Sequence, residues 1–328
     1  MVVSDPQVDR LSYLLALKSV PGIGNRSAVT VLTAFPTARD LTAASSEQVS
    51  SLGRRIFQAL SKVSQDEFAR LLEKGRQDAE DHLDAGFCVL SLFDRDYPPL
   101  LRLIPYAPLI LFVRGSLPTL RDSLSIAIVG TRSPTARGSD QAYRLAVQAA
   151  DAGITVVSGL ALGIDTAAHE GTLDARGKTV AVLGTPINRI YPPQNLDLAE
   201  QIVESGGALV SEYGINEHTD RRSFVQRNRI QSGLSLAVIA VQTDIEGGTM
   251  HTVRFALEQD RLVMCPIPHP EESNAWQTAG VYRLLHDGTA HVLNDLNEAV
   301  QEKLREHRER LLGSKAPDGE GFQPLLSV

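Results

Sequence analysis

From Ser125 to Cys265 the chain alternates short apolar runs with longer stretches of helical pattern. Strands that alternate with helices in this way predict βαβ units. The same alternation of strands and helices predicts a parallel sheet covered by helices on both faces. We therefore expect an α/β fold with a mostly parallel sheet. The runs are SIAIVG, GITVVSG, TVAVLG, GGALVSE, SLAVIAVQ and RLVMCP.

The rest of the chain divides into three further segments that differ in residue pattern and composition. Residues 1–85 show helical spacing of leucines and no strand pattern, which predicts a small all-helical domain. Residues 86–124 are rich in proline and contain one apolar run, Leu109 to Val113, which we interpret as a lead-in with one edge strand that packs on the sheet. The sheet domain itself is expected over 125–295, and an amphipathic helix with a disordered tail over 296–328.

Composition limits the class of protein. No apolar run approaches the ~18 residues needed to span a bilayer, so we expect no membrane segment. The first ten residues lack the apolar segment of a signal peptide, and Cys88 and Cys265 stand far apart outside any Cys/His cluster. We expect a cytoplasmic protein without a structural metal and without a cofactor.

The charge balance argues against a strongly basic nucleic-acid binder, because 32 basic residues face 39 acidic ones. One window is nevertheless basic. In TDRRSFVQRNR, Arg221, Arg222, Arg227 and Arg229 surround Phe224. Arginines for phosphates beside an aromatic ring for a base are typical of grooves that bind single strands. The alternative is a core phenylalanine beside a solvated face.

The first predicted strand ends in Gly130-Thr131-Arg132, and a helix should begin near Arg137. The carboxyl ends of parallel strands form the binding crevice of an open sheet, so we expect Arg132 to face that crevice and contact a phosphate. A surface salt bridge is the alternative. The dinucleotide fingerprint GxGxxG is absent here.

The second strand ends in SGLALGIDTAAH. Ser158 and Gly159 allow close approach of a ligand to the backbone, and Asp165 stands where it could cap the next helix. His169 follows at i+4 and could pair with Asp165. Ser158, Asp165 and His169 suggest a hydrolase, but the nucleophile motif GxSxG is missing, so a capped helix is the preferred interpretation.

Other strand ends carry small, hydroxylic or acidic residues. Gly247, Gly248 and Thr249 suit polar contacts to a phosphodiester or nucleotide. Glu212 follows the fourth strand and could act as a general base. The preferred interpretation is that it bonds neighbouring loop amides and positions the arginines.

A turn in the helical region, Pro21-Gly22-Ile23-Gly24, joins two helical segments. It is typical of a helix-hairpin-helix, whose exposed amides attract phosphate. Gly22, Gly24 and Arg26 are therefore candidates for a secondary DNA contact. The hairpin could equally serve only as scaffold.

Several of these motifs together resemble the DprA/Smf family of DNA-processing proteins. The motifs are GTRSP, SGLALGIDTAAH, YPPQN, LVSEY and SFVQRNRIQSGLS. The resemblance implies an extended, doubly wound Rossmann-like domain behind a small helical SAM-like domain. It also implies single-stranded DNA binding without catalysis, handover to RecA recombinase, a homodimer formed through the α/β domain, and a role in natural transformation. The site residues that it implies are Arg132, Arg221, Phe224, Arg227, Asn228 and Arg229.

The chain departs from the family pattern at several positions. Pro186 stands where the family usually has a second glycine, GGTMHT replaces a serine-rich segment, Gln242 replaces a common glutamate, and Pro266-Ile267-Pro268 replaces a Pro-Gly pair. Because only about 35 residues follow Val292, we expect no winged-helix domain.

The sequence leaves two other functions open. One is a Rossmann-like enzyme that binds or hydrolyses nucleotides, similar to phosphoribohydrolases, whose PGGxGTxxE motif requires a glutamate after GGT. Here Glu246 precedes the glycines. The other is a nucleotide sensor without catalysis.

Our sequence-based hypothesis is a crevice that binds single-stranded DNA. Phe224 would stack a base, and four arginines would contact phosphates, which corresponds to a salt slope of about −3 in log–log terms. Those arginines are Arg132, Arg221, Arg227 and Arg229; close backbone or hydroxyl contacts would come from Gly130, Thr131, Ser158, Gly159, Gly247, Gly248 and Thr249.

Overall fold

The computed structural model describes residues 6–122, 124–215 and 217–313. These residues form two compact units. One unit runs up to Phe93 and includes Pro108–Ile110, and the other contains Asp94–Ala107 and resumes at Leu111. The tail predicted at the carboxyl end lies outside the described residues.

The first unit contains the expected helical region. Helices α1 (Pro6–Ser19) and α6 (Gln65–Asp84) pack closely, since a β-carbon on Gly75 would lie 2.5 Å from the carbonyl oxygen of Ser12. The buried hydroxyl of Tyr13 donates a hydrogen bond to the carbonyl oxygen of Phe35 at 3.1 Å, which ties α1 to the end of α2 (Asn25–Ala34). The elements are α1 (Pro6–Ser19), α2 (Asn25–Ala34), α3 (Ala38–Ala43), α4 (Ser46–Ser50), α5 (Arg54–Leu60), α6 (Gln65–Asp84) and β1 (Cys88–Ser91).

The second unit contains the alternating strands and helices. Each predicted apolar run forms a strand. The elements are α7 (Pro99–Arg102), β2 (Ile110–Gly115), α8 (Leu117–Arg121), β3 (Ser125–Val129), α9 (Ala136–Asp151), β4 (Thr155–Ser158), α10 (Ile164–Asp174), β5 (Thr179–Leu183), α11 (Leu196–Glu204), β6 (Ala208–Ser211), α12 (Arg221–Gly233), β7 (Ala237–Ala240), α13 (Gly248–Glu258), β8 (Leu262–Cys265), α14 (Trp276–His286), β9 (His291–Val292) and α15 (Glu298–Gly313).

The lead-in segment is more structured than predicted. Besides β2, it contributes β1 and the short helices α7 and α8. Proline explains the two helices, because Pro99 and Pro118 occupy the first helical turns, where the missing amide hydrogen costs nothing.

The strands of the second unit form one mixed sheet in the order β2-β6-β5-β4-β3-β7-β8-β9. Strand β2 runs antiparallel to β6, and the other pairs are parallel. The chain builds outward from β3 to β6 on one side and then crosses to β7 on the other. The order therefore reverses between β3 and β7, where open α/β sheets bind ligands.

Helices cover both faces of this sheet. Every residue of β3 and of β5 is buried, although successive strand residues point to opposite faces. Helices α9, α10 and α15 contribute to one apolar cluster together with strand residues such as Ile126 and Ile239. The expected doubly wound α/β architecture is confirmed.

Within residues 6–313, apart from 123 and 216, no helix combines the length and apolar character that crossing a bilayer requires.

Candidate functional site

A cavity of about 360 Å³ opens where β3 and β7 end. These strands are parallel neighbours, with Val129 level with Ala240, so the cavity lies at the reversal of strand order. Its walls come from the loops after β3, β4 and β7 and from helices α10, α12, α13 and α14. The lining residues are Val129, Gly130, Thr131, Arg132, Ala161, Asp165, Phe224, Val225, Arg227, Asn228, Gln231, Thr243, Asp244, Gly247, Gly248, Thr249, Thr252 and Trp276.

The loop after β3 brings an exposed Arg132 to the cavity. Gly130 permits this path, because a β-carbon there would lie 2.5 Å from Cγ1 of Ile164. The amide of Thr131 donates to the carbonyl oxygen of Gln242 at 2.8 Å, and Gln242 also holds the amide and hydroxyl of Thr135 with its side chain. Helix α9 then begins at Ala136, one residue from the predicted start.

The loop after β4 is fixed by two buried side chains. Asp165 accepts hydrogen bonds from the amides of Gly159 and Ala161 at 3.1 and 3.4 Å. Asn195 donates to the carbonyl oxygen of Leu160 at 2.9 Å. Leu160 adopts the left-handed backbone region (φ 59°), which these contacts hold in place.

Asp165 therefore does not cap α10, and that prediction was wrong. The helix begins at Ile164 after Gly163, which has no side-chain cap. The carboxylate instead turns back to the preceding loop, where two backbone amides are available to it.

A buried guanidinium, that of Arg227, lies at the cavity. Its Nη1 donates to the carbonyl oxygen of Val182 at 2.8 Å, whereas its Nε has no hydrogen-bond partner among the described residues. Burial lowers the pKa of Arg227 to about 10; neighbouring Asp165 raises it and Arg132 lowers it. Burial also raises the pKa of Asp165, against the opposing effect of Arg227. Asp165 and Arg132 thus act on the Arg227 charge in opposite directions at one cavity, and the effect of Asp165 is the larger.

Arg229, in contrast, does not line the cavity. Its guanidinium is 8% exposed and donates to both carboxylate oxygens of Glu212 at 2.7 Å. Burial is the main cause that raises the pKa of Tyr97. The nearby charge of Glu212 raises this pKa further, and that of Arg229 lowers it. Of the four arginines expected to contact phosphates, Arg132 and Arg227 line the cavity, whereas Arg221 and Arg229 are absent from its lining and Arg229 is paired with Glu212. Glu212 positions an arginine, as expected.

The start of α12 combines exposed arginines with a half-buried aromatic ring. Asp220 caps this helix by accepting from the amides of Arg222 and Ser223. Arg221 and Arg222 are exposed in the first turn. Phe224 lies within the same turn and reaches the cavity.

Phe224 rests on a glycine and a second aromatic ring. A β-carbon on Gly184 would lie 2.7 Å from Cδ1 of Phe224, and the ring of Tyr191 lies 5.5 Å away, tilted by 60°. Tyr191 is 45% exposed. Gly184 and Tyr191 thus hold one side of Phe224, and another side of this residue lines the cavity.

The start of α13 also borders the cavity. Gly247 precedes the helix and no side chain caps it, so the first amides of the helix are available to an anion. Asn228 donates weakly to the carbonyl oxygen of Gly248 at 3.4 Å, which links this turn to α12.

Ser158, Asp165 and His169 do not form a Ser–His–Asp chain, because Nε2 of His169 has no hydrogen-bond partner among the described residues. The hydroxyl of Ser158 donates to the carbonyl oxygen of Ile128 at 2.7 Å, and Nδ1 of His169 pairs with the hydroxyl of Thr179 at 2.8 Å. Burial lowers the pKa of His169 to about 3. Ser158 and Gly159 are buried and absent from the cavity lining.

Sequence reasoning missed several contributors to this site. Trp276 and Asp244 line the cavity, while Asn195, Gln242 and Tyr191 support its walls. The YPPQN motif contains Tyr191 and Asn195, so a signal for these two was present. Trp276 is the single tryptophan of the chain and carried no motif.

The predicted hairpin forms in the first unit. Gly22 has a φ of +92°, which favours glycine, and exposed Gly24 precedes α2 without a side-chain cap. Arg26 is exposed in the first turn of α2. This geometry suits a phosphate contact, which stays a prediction.

Residues 88–304 match the family model described as DNA recombination-mediator protein A. Among curated proteins, the Synechocystis protein named Smf is 38% identical over 220 residues, which cover 66% of this chain and 54% of that protein. The chain spans about half the length of the curated relatives it matches first.

Solved structures agree with the fold. DNA processing protein A from Streptococcus pneumoniae matches with a TM-score of 0.67 and 26% identity, over 94% of this chain and 98% of that one. DNA processing protein A from Helicobacter pylori, described for its single-stranded DNA binding mode, matches with a TM-score of 0.58 and 26% identity. That match covers 67% of this chain and 96% of that one.

Proposed function

Because this chain belongs to the DNA recombination-mediator protein A family, we propose that it binds single-stranded DNA in the cavity at the ends of β3 and β7. The bound strand would be protected and passed to a RecA-type recombinase in the cytoplasm, during natural transformation or recombination. In this proposal the protein binds the strand and catalyses no reaction on it.

One observation carries the proposal. Two arginines, one exposed and one buried, meet at a cavity beside the uncapped start of a helix. Arg227 is buried with an Nε that has no partner among the described residues; Asp165 stabilises its charge, while the smaller effect of Arg132 acts against it. An anion between the two arginines would relieve this repulsion and satisfy donors that are otherwise costly to bury.

The residues take different parts in this proposal. Arg132, Arg221 and Arg227 would contact phosphates, while Phe224 would stack a base. Gly130, Thr131, Asn228 and Gly247 to Thr249 would offer backbone and short polar contacts. Ser158 and Gly159 would shape the floor, and Arg229 would hold α12 through Glu212.

The relatives support a nucleic-acid ligand. The Helicobacter pylori protein is described by its mode of binding single-stranded DNA, and the Streptococcus pneumoniae relative is a DNA processing protein. The acidic surplus of the chain fits a confined site, because negative surface elsewhere repels DNA and favours one bound strand over general coating.

A competition experiment tests this function. A labelled oligo-dT is titrated with the protein and followed by fluorescence anisotropy, then challenged with unlabelled oligo-dT, duplex DNA or dTMP. We expect oligo-dT to compete best, duplex poorly and dTMP weakly, and chromatography to return oligonucleotide and dTMP unchanged. Release of a free base from dTMP would instead establish a nucleotide-hydrolysing enzyme. Saturable dTMP binding without oligo-dT binding would establish a nucleotide sensor.

We also propose that the protein forms a homodimer and that it loads a recombinase on the bound strand. Size-exclusion chromatography with light scattering should give twice the chain mass of 35.6 kDa. Prior addition of the protein should shorten the lag of a RecA-type recombinase on single strands coated with a single-strand binding protein. A monomeric mass would contradict dimerisation, and an unchanged lag would contradict recombinase loading. Neither result would contradict DNA binding.

A further inference from the structure

Trp276 is the one tryptophan of the chain, it is 52% exposed, and it lines the cavity. Isolated apolar side chains at a protein surface need no explanation. A half-exposed tryptophan on the wall of a cavity that also holds two arginines is different, because aromatic rings beside cations are the components of single-strand grooves.

The backbone around Trp276 holds it in place. Trp276 is the first residue of α14, and the amide of Gly280 one turn later donates to the carbonyl oxygen of Thr243 at 2.9 Å. A β-carbon on Gly280 would lie 2.6 Å from the carbonyl oxygen of Asp244, so the helix lies directly on the loop after β7. These contacts fix the backbone that carries the ring next to the loop after β7.

The start of α14 also reaches the loop that carries Arg132. The side-chain amide of Gln277 donates to the carbonyl oxygen of Ser133 at 3.4 Å. Trp276 therefore adjoins the expected phosphate contact, and it approaches the cavity from a different helix than Phe224 on α12. The cavity has an aromatic residue from each of these two helices.

We propose that Trp276 is a second base-stacking surface, which holds a base of the bound strand next to the phosphate at Arg132. The inference rests on the proposed function. The volume of about 360 Å³ is near the lower end for ligand pockets, about 300–1,000 Å³, and suits part of a single strand rather than a duplex. Stacking on tryptophan is open to any base, so the site would not select sequence.

The intrinsic fluorescence of Trp276 tests the proposal directly, because no other tryptophan contributes. Unlabelled oligo-dT is added to the full chain while emission is recorded, and a labelled oligo-dT is followed in parallel by anisotropy. We expect quenching with the same midpoint as the anisotropy change. A rise in anisotropy with unchanged emission would overturn the role of Trp276 and leave DNA binding standing. No change in either signal would overturn both.

A variant series separates stacking from folding. Trp276→Ala should weaken oligo-dT binding by about 5- to 150-fold, the range for one stacked base, and Trp276→Phe should recover most of the loss. An abasic strand of equal length keeps the phosphates, so it should bind the parent chain and Trp276→Ala alike. Equal losses on both strands would contradict stacking.

Tyr106→Ala provides the matched control, since Tyr106 is an aromatic side chain of the same unit, 70% exposed and outside the cavity lining. Its affinity for oligo-dT should stay within about twofold of the parent chain. A loss equal to that of Trp276→Ala would show that exposed aromatic residues matter wherever they lie, and would overturn the proposal.

Discussion

The guanidinium of Arg227 packs directly on Gly159, so closely that a β-carbon at position 159 would lie 1.7 Å from its Nη1. Gly159 thus provides the space in which a buried arginine reaches the cavity. The role of this glycine differs from the close ligand contact that the sequence suggested.

Gly159→Ala should displace Arg227, because the added methyl group and the guanidinium cannot occupy the same volume. The far end of an arginine can move, so we expect a folded variant whose affinity for oligo-dT falls roughly tenfold or more, the value of one charge-assisted contact. Anisotropy measures the affinity, and circular dichroism verifies the fold. Gly313→Ala is the control, since its β-carbon would meet no atom within 4 Å. An unchanged affinity for Gly159→Ala would show that Arg227 does not contact the strand.

Arg229→Met should lower stability and leave the salt dependence of DNA binding unchanged. Removing this arginine deprives the Glu212 carboxylate of a bidentate partner at a nearly buried position, which costs about 3 kcal/mol. Urea denaturation measures the loss. A variant of normal stability whose salt slope becomes shallower by about 0.7 would show instead that Arg229 contacts a phosphate.

The salt slope reports how many arginines contact the strand. With Arg229 paired internally, Arg132, Arg221 and Arg227 remain, so the logarithm of the affinity should fall with the logarithm of salt concentration at a slope of about −2. Arg132→Ala should reduce the slope to about −1.4. Arg144→Ala, an exposed arginine of α9 outside the cavity lining, should leave it unchanged. A salt slope near −3 for the unmodified chain would show that a fourth arginine also contacts the strand.

His169 should make stability fall in mild acid. Its imidazole is fully buried, and burial lowers its pKa from 6.5 to about 3. Between these pH values the unfolded chain holds a proton that the folded chain lacks, so the free energy of unfolding falls as pH decreases, by up to about 1.4 kcal/mol per pH unit. Well above pH 6.5 the imidazole is neutral in both states, so this group contributes no pH dependence there.

The measurement compares slopes and not absolute stabilities. Urea denaturation of the parent chain and of His169→Gln is recorded from pH 7.5 to pH 5, and the variant should lose stability less steeply below pH 6.5. Parallel slopes in the two proteins would mean that His169 takes up a proton in the folded chain.

Local patterns determined the parts of the fold that the sequence predicted well. The apolar runs at Ser125–Val129 and Thr179–Leu183 became buried central strands, because a sheet covered on both faces requires apolar residues throughout. Arg132 and Gly247 follow strand ends, so topology alone places them at the cavity.

The structure departs from the predictions where a side chain has several available hydrogen-bond partners, some near and some distant in sequence. Arg229 and Glu212 are separated by 17 positions, and Asp165 turned back to the loop amides before it. Neither partner follows from the spacing. Trp276 belongs to a helix whose approach to the cavity depends on close packing at Gly280, which no periodicity reveals.

The most direct test of the account is the affinity of the double variant Arg132→Ala, Phe224→Ala for labelled oligo-dT, measured by anisotropy beside the control Arg144→Ala, Tyr106→Ala. Loss of a phosphate contact and a stacked base together should weaken binding by roughly 50-fold or more, while the control should stay within about twofold of the parent chain. Equal affinity of the double variant and the parent chain would contradict a single-stranded DNA site at this cavity.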